Sequence, residues 1–403
     1  MRCSVLVVLI IASIFGCNAD NLNSVVQGND EFTANTYKEL VKTVGKENII
    51  LSGLSAEIVL SLLANGAKGE TQKQLLIGLG LPNNITDVNK AFTEITSRLK
   101  VNTPDLKLLS ANKIYPAKGF PIEKAFQDVA VNDYNSGVQN LDYNKPAEAA
   151  GTINGWVEDQ TNHKIQNLID PQMLDASTVL VLVNALYYTG KWDHPFEKYN
   201  SADRLFHSSP TESKKIPTMY TEAFAKYAYN DKLKAKFLEL GFQGANVTMT
   251  FVLPDEINGL AAAEQNLKEY LAPQPLESAR VAITLPKFKI NTKIDFKPIL
   301  KKLGITQMFE DSADLTGIAK APLKVDFVLQ KAFIDVNEDG VEAAAATAVG
   351  IVESAFIEPD PQYNLSRSPI LFLHKGTWFR SNFIRWKIQH FIRLKYLQSV
   401  YIR

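Results

Sequence analysis

Along the first half of the chain apolar residues recur at helical spacing, whereas along the second half they gather into short continuous or alternating runs. From Asn29 to Val44, Phe32, Tyr37, Leu40 and Val41 mark one face of a helix, with Asp30 and Glu31 at its positive end. Asn48 to Leu51 reads as a short strand. A serine of Ser52-Gly-Leu-Ser55 can cap the next helix, which carries Val59, Leu60, Leu62 and Leu63 and stops at Gly66 and Gly69. Two further helices are predicted over 71–79 and 87–100, the second capped by Asp87. Leu109 to Tyr115 alternates as a strand, 122–129 is helical, and 147–169 is a longer helix containing Ile153, Trp156, Val157 and Ile165.

The second half reads differently. Val179 to Tyr188 is an unbroken apolar run closed by Gly190, the pattern of a strand buried on both faces. Strands are also predicted over 223–229, 236–240, 247–253, 280–290 and 325–336, with helices over 259–271 and 296–303 between them. There is no internal repeat and no low-complexity linker. Helices first and strands second predict one α+β domain with large, mostly antiparallel sheets, and 403 residues at 46% hydrophobic content can fill its core.

One stretch, Asp335 to Phe356, carries conflicting propensities. Ala343, Ala344, Ala345 and Ala346 favour helix, with Asn337 or Asp339 available as a cap, yet Gly340 and Gly350 bracket them and Val341, Thr347, Val349, Ile351 and Val352 favour strand. Read with period two, Val341, Ala343, Ala345, Thr347 and Val349 form one face, and the charged Glu342 falls on the other. Both conformations are open to such a segment.

The ends and the composition narrow its setting. Arg2, the apolar run from Val5 to Phe15 and the small residues around Cys17-Asn18-Ala19 read as a secretory signal over 1–19, cut before Asp20, leaving 20–403 as the mature, extracellular chain. Both cysteines, Cys3 and Cys17, lie in that leader, so disulfides are not expected to hold the mature protein. Glycan acceptor tripeptides occur at Asn84, Asn246 and Asn364. Lysine plus arginine equal aspartate plus glutamate at 43 each, so overall charge predicts no nucleic acid partner. His163, His194, His207, His374 and His390 stand in no metal-ligand spacing, and neither a GxSxG elbow nor a glycine-rich phosphate loop occurs. Neither an enzyme nor a cofactor or metal site is expected.

Taken together, the motifs resemble the serpin family of serine protease inhibitors from about Asn29 to Phe356. They are Ser52-Gly-Leu-Ser55, Gly66-Ala-Lys-Gly-Glu-Thr71, Ile153-Asn-Gly-Trp-Val157, Val183-Asn-Ala-Leu-Tyr-Tyr188 with Gly190 and Trp192, Leu285-Pro-Lys-Phe288 and Lys331-Ala-Phe333. The hinge and loop length look closest to inhibitory animal members, insect ones among them. The resemblance implies a serpin-like single domain, a monomer, with an exposed reactive-centre loop at about 338–362. Cleavage lets that loop enter the large sheet as an added strand. It makes Glu338, Gly340, Val341, Glu342, Ala343–Ala346 and Thr347 the hinge. Counted from the hinge glycine, the scissile bond is Ser354-Ala355, small bait for an elastase-like protease, with Val352 a neighbouring alternative and Phe356 the choice for a chymotrypsin-like one. By the same resemblance, Ser52, Ser55, Asn184 and Gln330 form a cluster beneath the sheet where strands part, and Lys287, Glu338 and Trp192 meet where insertion begins.

Several positions depart from the family. Gly53 stands for a proline, His163 for a glycine, Asp326 for a serine, Gln330 for a histidine and Val341 for a threonine. Over 373–403 the closing Leu-Phe-x-Gly-x-Val pattern is missing, and Arg380, Arg385, Lys387, Arg393, Lys395 and Arg403 alternate with aromatics, a pattern that would suit a polyanion or that marks a divergent terminal segment. The expected function is secreted suicide inhibition of a serine protease. The alternative is a non-inhibitory carrier or storage protein, or an inactive isoform owing to the tail.

Overall fold

The computed structural model of the chain describes residues 5–11, 19–44, 47–99, 101–207, 213–244, 247–256, 259–341, 365–368, 371–372, 390–394 and 400–402. Helix α1 spans Ala19–Thr43, starting well before Asn29, because the apolar face continues back through Leu22 and Val25, both buried. Strand β1, Ile49–Ser52, leads into α2, Gly53–Gly66. Ser52 caps α2 as expected, its side chain accepting the Ser55 N–H. Every α2 residue except Asn65 is buried, so this helix is the post around which the rest packs.

Helices α3, Gly69–Gly78, and α4, Ile85–Arg98, follow. The cap of α4 is Asn84 rather than Asp87: the Asn84 side chain accepts the Thr86 N–H, and Asp87 lies in the first turn, where it accepts from the Asn84 amide. Beyond β2, Leu106–Pro116, and α5, Lys124–Asn132, α6 covers only Pro146–Gln160 and not the expected 147–169. Thr161 ends it, its hydroxyl accepting the Ile165 N–H while Asn162 and His163 turn left-handed. The chain then folds back along α6, where the Asn154 side chain bonds both the N–H and the carbonyl of Ile169.

The strands β3, Leu180–Lys191, β4, Ala202–His207, β5, Ser213–Asn230, β6, Ala235–Gly241, and β7, Val247–Pro254, come next. The helix expected over 259–271 is two, α7 at Leu260–Gln265 and α8 at Leu267–Leu271, broken at Asn266. The strand expected over 280–290 is also two, β8 at Glu277–Pro286 and β9 at Phe288–Asp295. Pro286 has no N–H to continue the ladder, and the chain changes sheets at Lys287. Then come α9, Lys297–Lys302, β10, Phe327–Asn337, and the two-residue β11, Gly340–Val341.

Two sheets result. The first runs β9, β10, β3, β2, with β10 and β3 parallel from Phe327–Val181 to Phe333–Tyr187 and the long strands otherwise antiparallel. The second contains β8, β5, β6 and β7, with β4 on β5. It is extended by the apolar run Val5–Ile11, which pairs with β7, and by the tail segment His390–Leu394, which pairs with β1. Strand β3 is buried on both faces as its sequence demands. Leu180, Leu182, Leu186 and Tyr188 enter the main core, while Val181, Val183 and Ala185 enter a smaller one under α6.

Candidate functional site

Two polar contact groups tie strands of the first sheet to one another and to their surroundings, one beneath its middle and one at its top. The register of three strands sets the lower group, since Gln330 of β10 lies level with Asn184 of β3, and Asn184 with Asn112 of β2. From below, the N-terminus of α2 supplies Ser52 and Ser55. Gln330 grips Ser52 twice, its Oε1 accepting the Ser52 N–H at 3.0 Å and its Nε2 donating to the Ser52 carbonyl at 2.9 Å. The same Nε2 donates to Asn184 Oδ1 at 2.7 Å. Asn184 Nδ2 in turn donates to the Ser55 carbonyl, to Ser55 Oγ and to Asn112 Oδ1. Ser55 Oγ also meets Ser110 Oγ at 2.7 Å.

All four residues singled out in the sequence, Ser52, Ser55, Asn184 and Gln330, are therefore in one buried network. Ser110 and Asn112 complete it and were not foreseen. Their signal is weak, two small polar residues at alternating positions of a strand that also carries Lys107 and Lys113. Such a network specifies one closed arrangement, because parting β3 from β10 breaks the Gln330–Asn184 bond and strands buried polar groups.

The upper group centres on Glu338, 5% exposed. Its carboxylate accepts from Lys287 Nζ at 3.1 Å and Ser201 Oγ at 2.7 Å, and its carbonyl accepts the Phe196 N–H. Burial pushes its pKa up, but the hydrogen bonds from Ser201, its own backbone and Lys287, with the lysine charge, outweigh this and hold it below the ordinary 4.5. Trp192, stacked on Phe242 at 4.5 Å, donates its ring N–H to the Asn337 carbonyl at 3.0 Å, and its backbone N–H to that of Asp339. Lys198 pairs with Asp339 at 3.0 Å. Lys287 thus meets Glu338 directly, while Trp192 bonds the residues on either side of it.

Above the last parallel pair, β11 enters between the two strands. Gly340 lies level with Lys191 and Asn337, and Val341 with Gly190 and Val336, antiparallel to both neighbours. Val341 is fully buried, and Thr189 Oγ1 donates to its carbonyl at 2.9 Å. Gly340 has φ +154°, and a Cβ there would lie 2.1 Å from the Gly190 carbonyl oxygen, so only glycine fits at the point of entry. The remaining hinge positions Glu342–Thr347, the bond Ser354-Ala355, the acceptors Asn246 and Asn364, and all the tail cations except Arg393 lie outside the described residues. Asn84 is exposed at the cap of α4.

Comparison with known proteins places the chain in one family. The family model Serpin (serine protease inhibitor) matches residues 27–377. Alaserpin of Manduca sexta is 42% identical over 82% of this chain and 86% of its own length. Antichymotrypsin-2 of Bombyx mori is 35% identical over 88% of this chain and 96% of its own. Among solved structures, Serpin48 of Tenebrio molitor, described as a highly specific serpin, superimposes with a TM-score of 0.82 at 35% identity. That match covers 95% of this chain and all of that one.

Proposed function

We propose, from the premise that this chain belongs to the serpin family, that it is a secreted inhibitor which traps a serine protease as a covalent acyl-enzyme. The protease serine attacks the carbonyl of Ser354, the bond to Ala355 breaks, and the amine of Ala355 leaves with a proton. The freed loop then enters between β3 and β10 and carries the attached protease with it before water can hydrolyse the ester. Function is a race between insertion and deacylation.

The observation that carries this reading is β11. The seam that must accept the loop already holds Gly340 and Val341 in ladder register with both of its walls. The residues that follow, uncharged on the face shared with Val341, suit passage between packed strands. Ser354 at the bond suits a protease with a shallow specificity pocket, elastase-like rather than trypsin-like.

The test is to mix the purified chain with elastase-like, chymotrypsin-like and trypsin-like proteases and run reducing denaturing gels. A band at the summed masses, with the released peptide beginning at Ala355, is the expected result. Cleavage without that band would overturn inhibition and favour the non-inhibitory reading, which the divergent tail supports. Secretion is checked by N-terminal sequencing. A start at Asp20 is expected, whereas a start at Met1 would make the strand Val5–Ile11 part of the working molecule.

A further inference from the structure

At the foot of the seam a side chain adds to the backbone bond that joins the two strands. Below the Phe327–Val181 pair, the Asp326 N–H donates to the Leu180 carbonyl at 2.9 Å. Asp326 Oδ2 then accepts two backbone donors of the opposite strand, the Val179 N–H at 2.6 Å and the Leu180 N–H at 3.1 Å. Val179 is tied on its other side as well, its carbonyl accepting the Ala117 N–H at 2.8 Å. Lys297 Nζ bonds the Asp326 carbonyl at 3.2 Å and fixes the backbone that presents the carboxylate. Bonds from N–H groups to an ionised carboxylate are about twice as strong as neutral ones. A serine, the residue the family resemblance places here, has a shorter, uncharged side chain.

The register of β11 says when an inserting strand would meet this contact. Val341 lies level with Gly190 and Val336. Continued residue for residue, an added strand comes level with both Leu180 and Asp326 at position 351, just short of Ser354. We propose that Asp326 is a clamp on the last stage of loop travel, a positioning residue that occupies the Leu180 N–H group which the arriving strand must take over and holds the Val179 N–H beside it. The clamp keeps the foot of the sheet closed in the uncut protein. During trapping it slows the final residues of insertion, when the ester to the protease is still open to water.

This inference rests on the insertion reading, and two measurements separate their failures. Hydrogen exchange at the Val179 and Leu180 amides of the uncut protein needs no protease. Asp326→Ser is expected to speed it roughly tenfold relative to the parent, and an unchanged rate overturns the clamp whether or not the protein inhibits. Asp326→Asn keeps the shape and one acceptor and is expected to fall between the two. Should the serine variant not fold, exchange in D326N at the parent's rate overturns the clamp by itself. With a trapped protease in hand, D326S is expected to lower the number of inhibitor molecules consumed per protease trapped by about twofold, reflecting insertion that outruns deacylation more often. An equal or higher number overturns the coupling to insertion. A gel on which neither protein traps any protease defeats the inhibitory reading, and exchange still decides the clamp.

Discussion

Glu57 is the residue whose burial asks most of its surroundings. It lies in the α1–α2 seam, fully buried, with Asn29 Nδ2 donating to its Oε2 at 2.5 Å, and it has no cationic partner among the described residues. An isolated buried carboxylate is far costlier than a neutral acid. Desolvation accordingly pushes its pKa well above the ordinary 4.5, the Asn29 bond opposing and the Asp30 charge adding. A raised acid pKa gives stability that is complete below the unfolded value and is lost as pH rises through the folded one. Glu57→Gln is therefore expected to remove a fall in melting temperature that begins above about pH 4.5 and levels off once pH has passed the folded value, and parallel curves for the two proteins would show that Glu57 does not titrate there. Glu338 has the opposite sign. Its lowered pKa gives stability present above about 4.5 that is lost as pH falls through the folded value. Lys287→Met should shift the acid limb of the melting curve to higher pH without abolishing it, because Ser201 still bonds the carboxylate. An unmoved acid limb would show that the lysine contributes nothing measurable to the top of the sheet.

At the scale of elements, β11 and the seam it enters decide behaviour. Val341 is enclosed by β3 and β10, and burying a valine side chain contributes about 1.5–3 kcal/mol. An arginine there would carry an unpaired charge into the sheet, at a cost of about 3–5 kcal/mol. Val341→Arg is expected to abolish the covalent complex while the loop is still cut, and a fully potent variant on the same gel would remove the hinge argument. The strand conformation at Val341 was legible in the sequence because β-branched and small side chains at alternate positions are a local pattern. The cluster under the sheet was legible only through resemblance, and only for four of its members. Ser110 and Asn112 join it by the register of β2 against β3, and register is a relation between distant segments that no window of sequence contains.

The whole molecule is a serpin fold whose resting sheet has β3 and β10 in direct contact along most of their shared length. Inserting a loop strand would add main-chain bonds and buried area to both walls, so the cut protein should be much the more stable form. We expect cutting at the loop to raise the melting temperature by more than about 10 °C, at roughly 2–4 °C for each kcal/mol gained. Equal melting before and after cutting would show that no strand is added. What the sequence determined by itself is what short-range physics controls. That includes the α+β order of elements, the serine cap of α2 and the doubly buried β3, because side-chain period, capping and propensity act over a few residues. Where elements begin and break was less local. The cap of α4 moved to Asn84 and α6 stopped at Thr161 because side-chain hydrogen bonds beyond the hydrophobic pattern chose those points, and the strand over 280–290 split where Pro286 lacks an N–H for the ladder. Tertiary structure alone decided that Asp326 would reach Val179 and Leu180, that Glu57 would be sealed against Asn29 and that Ser110 and Asn112 would join the network. Each is a polar group whose energy depends on partners brought from far along the chain, and only packing selects them.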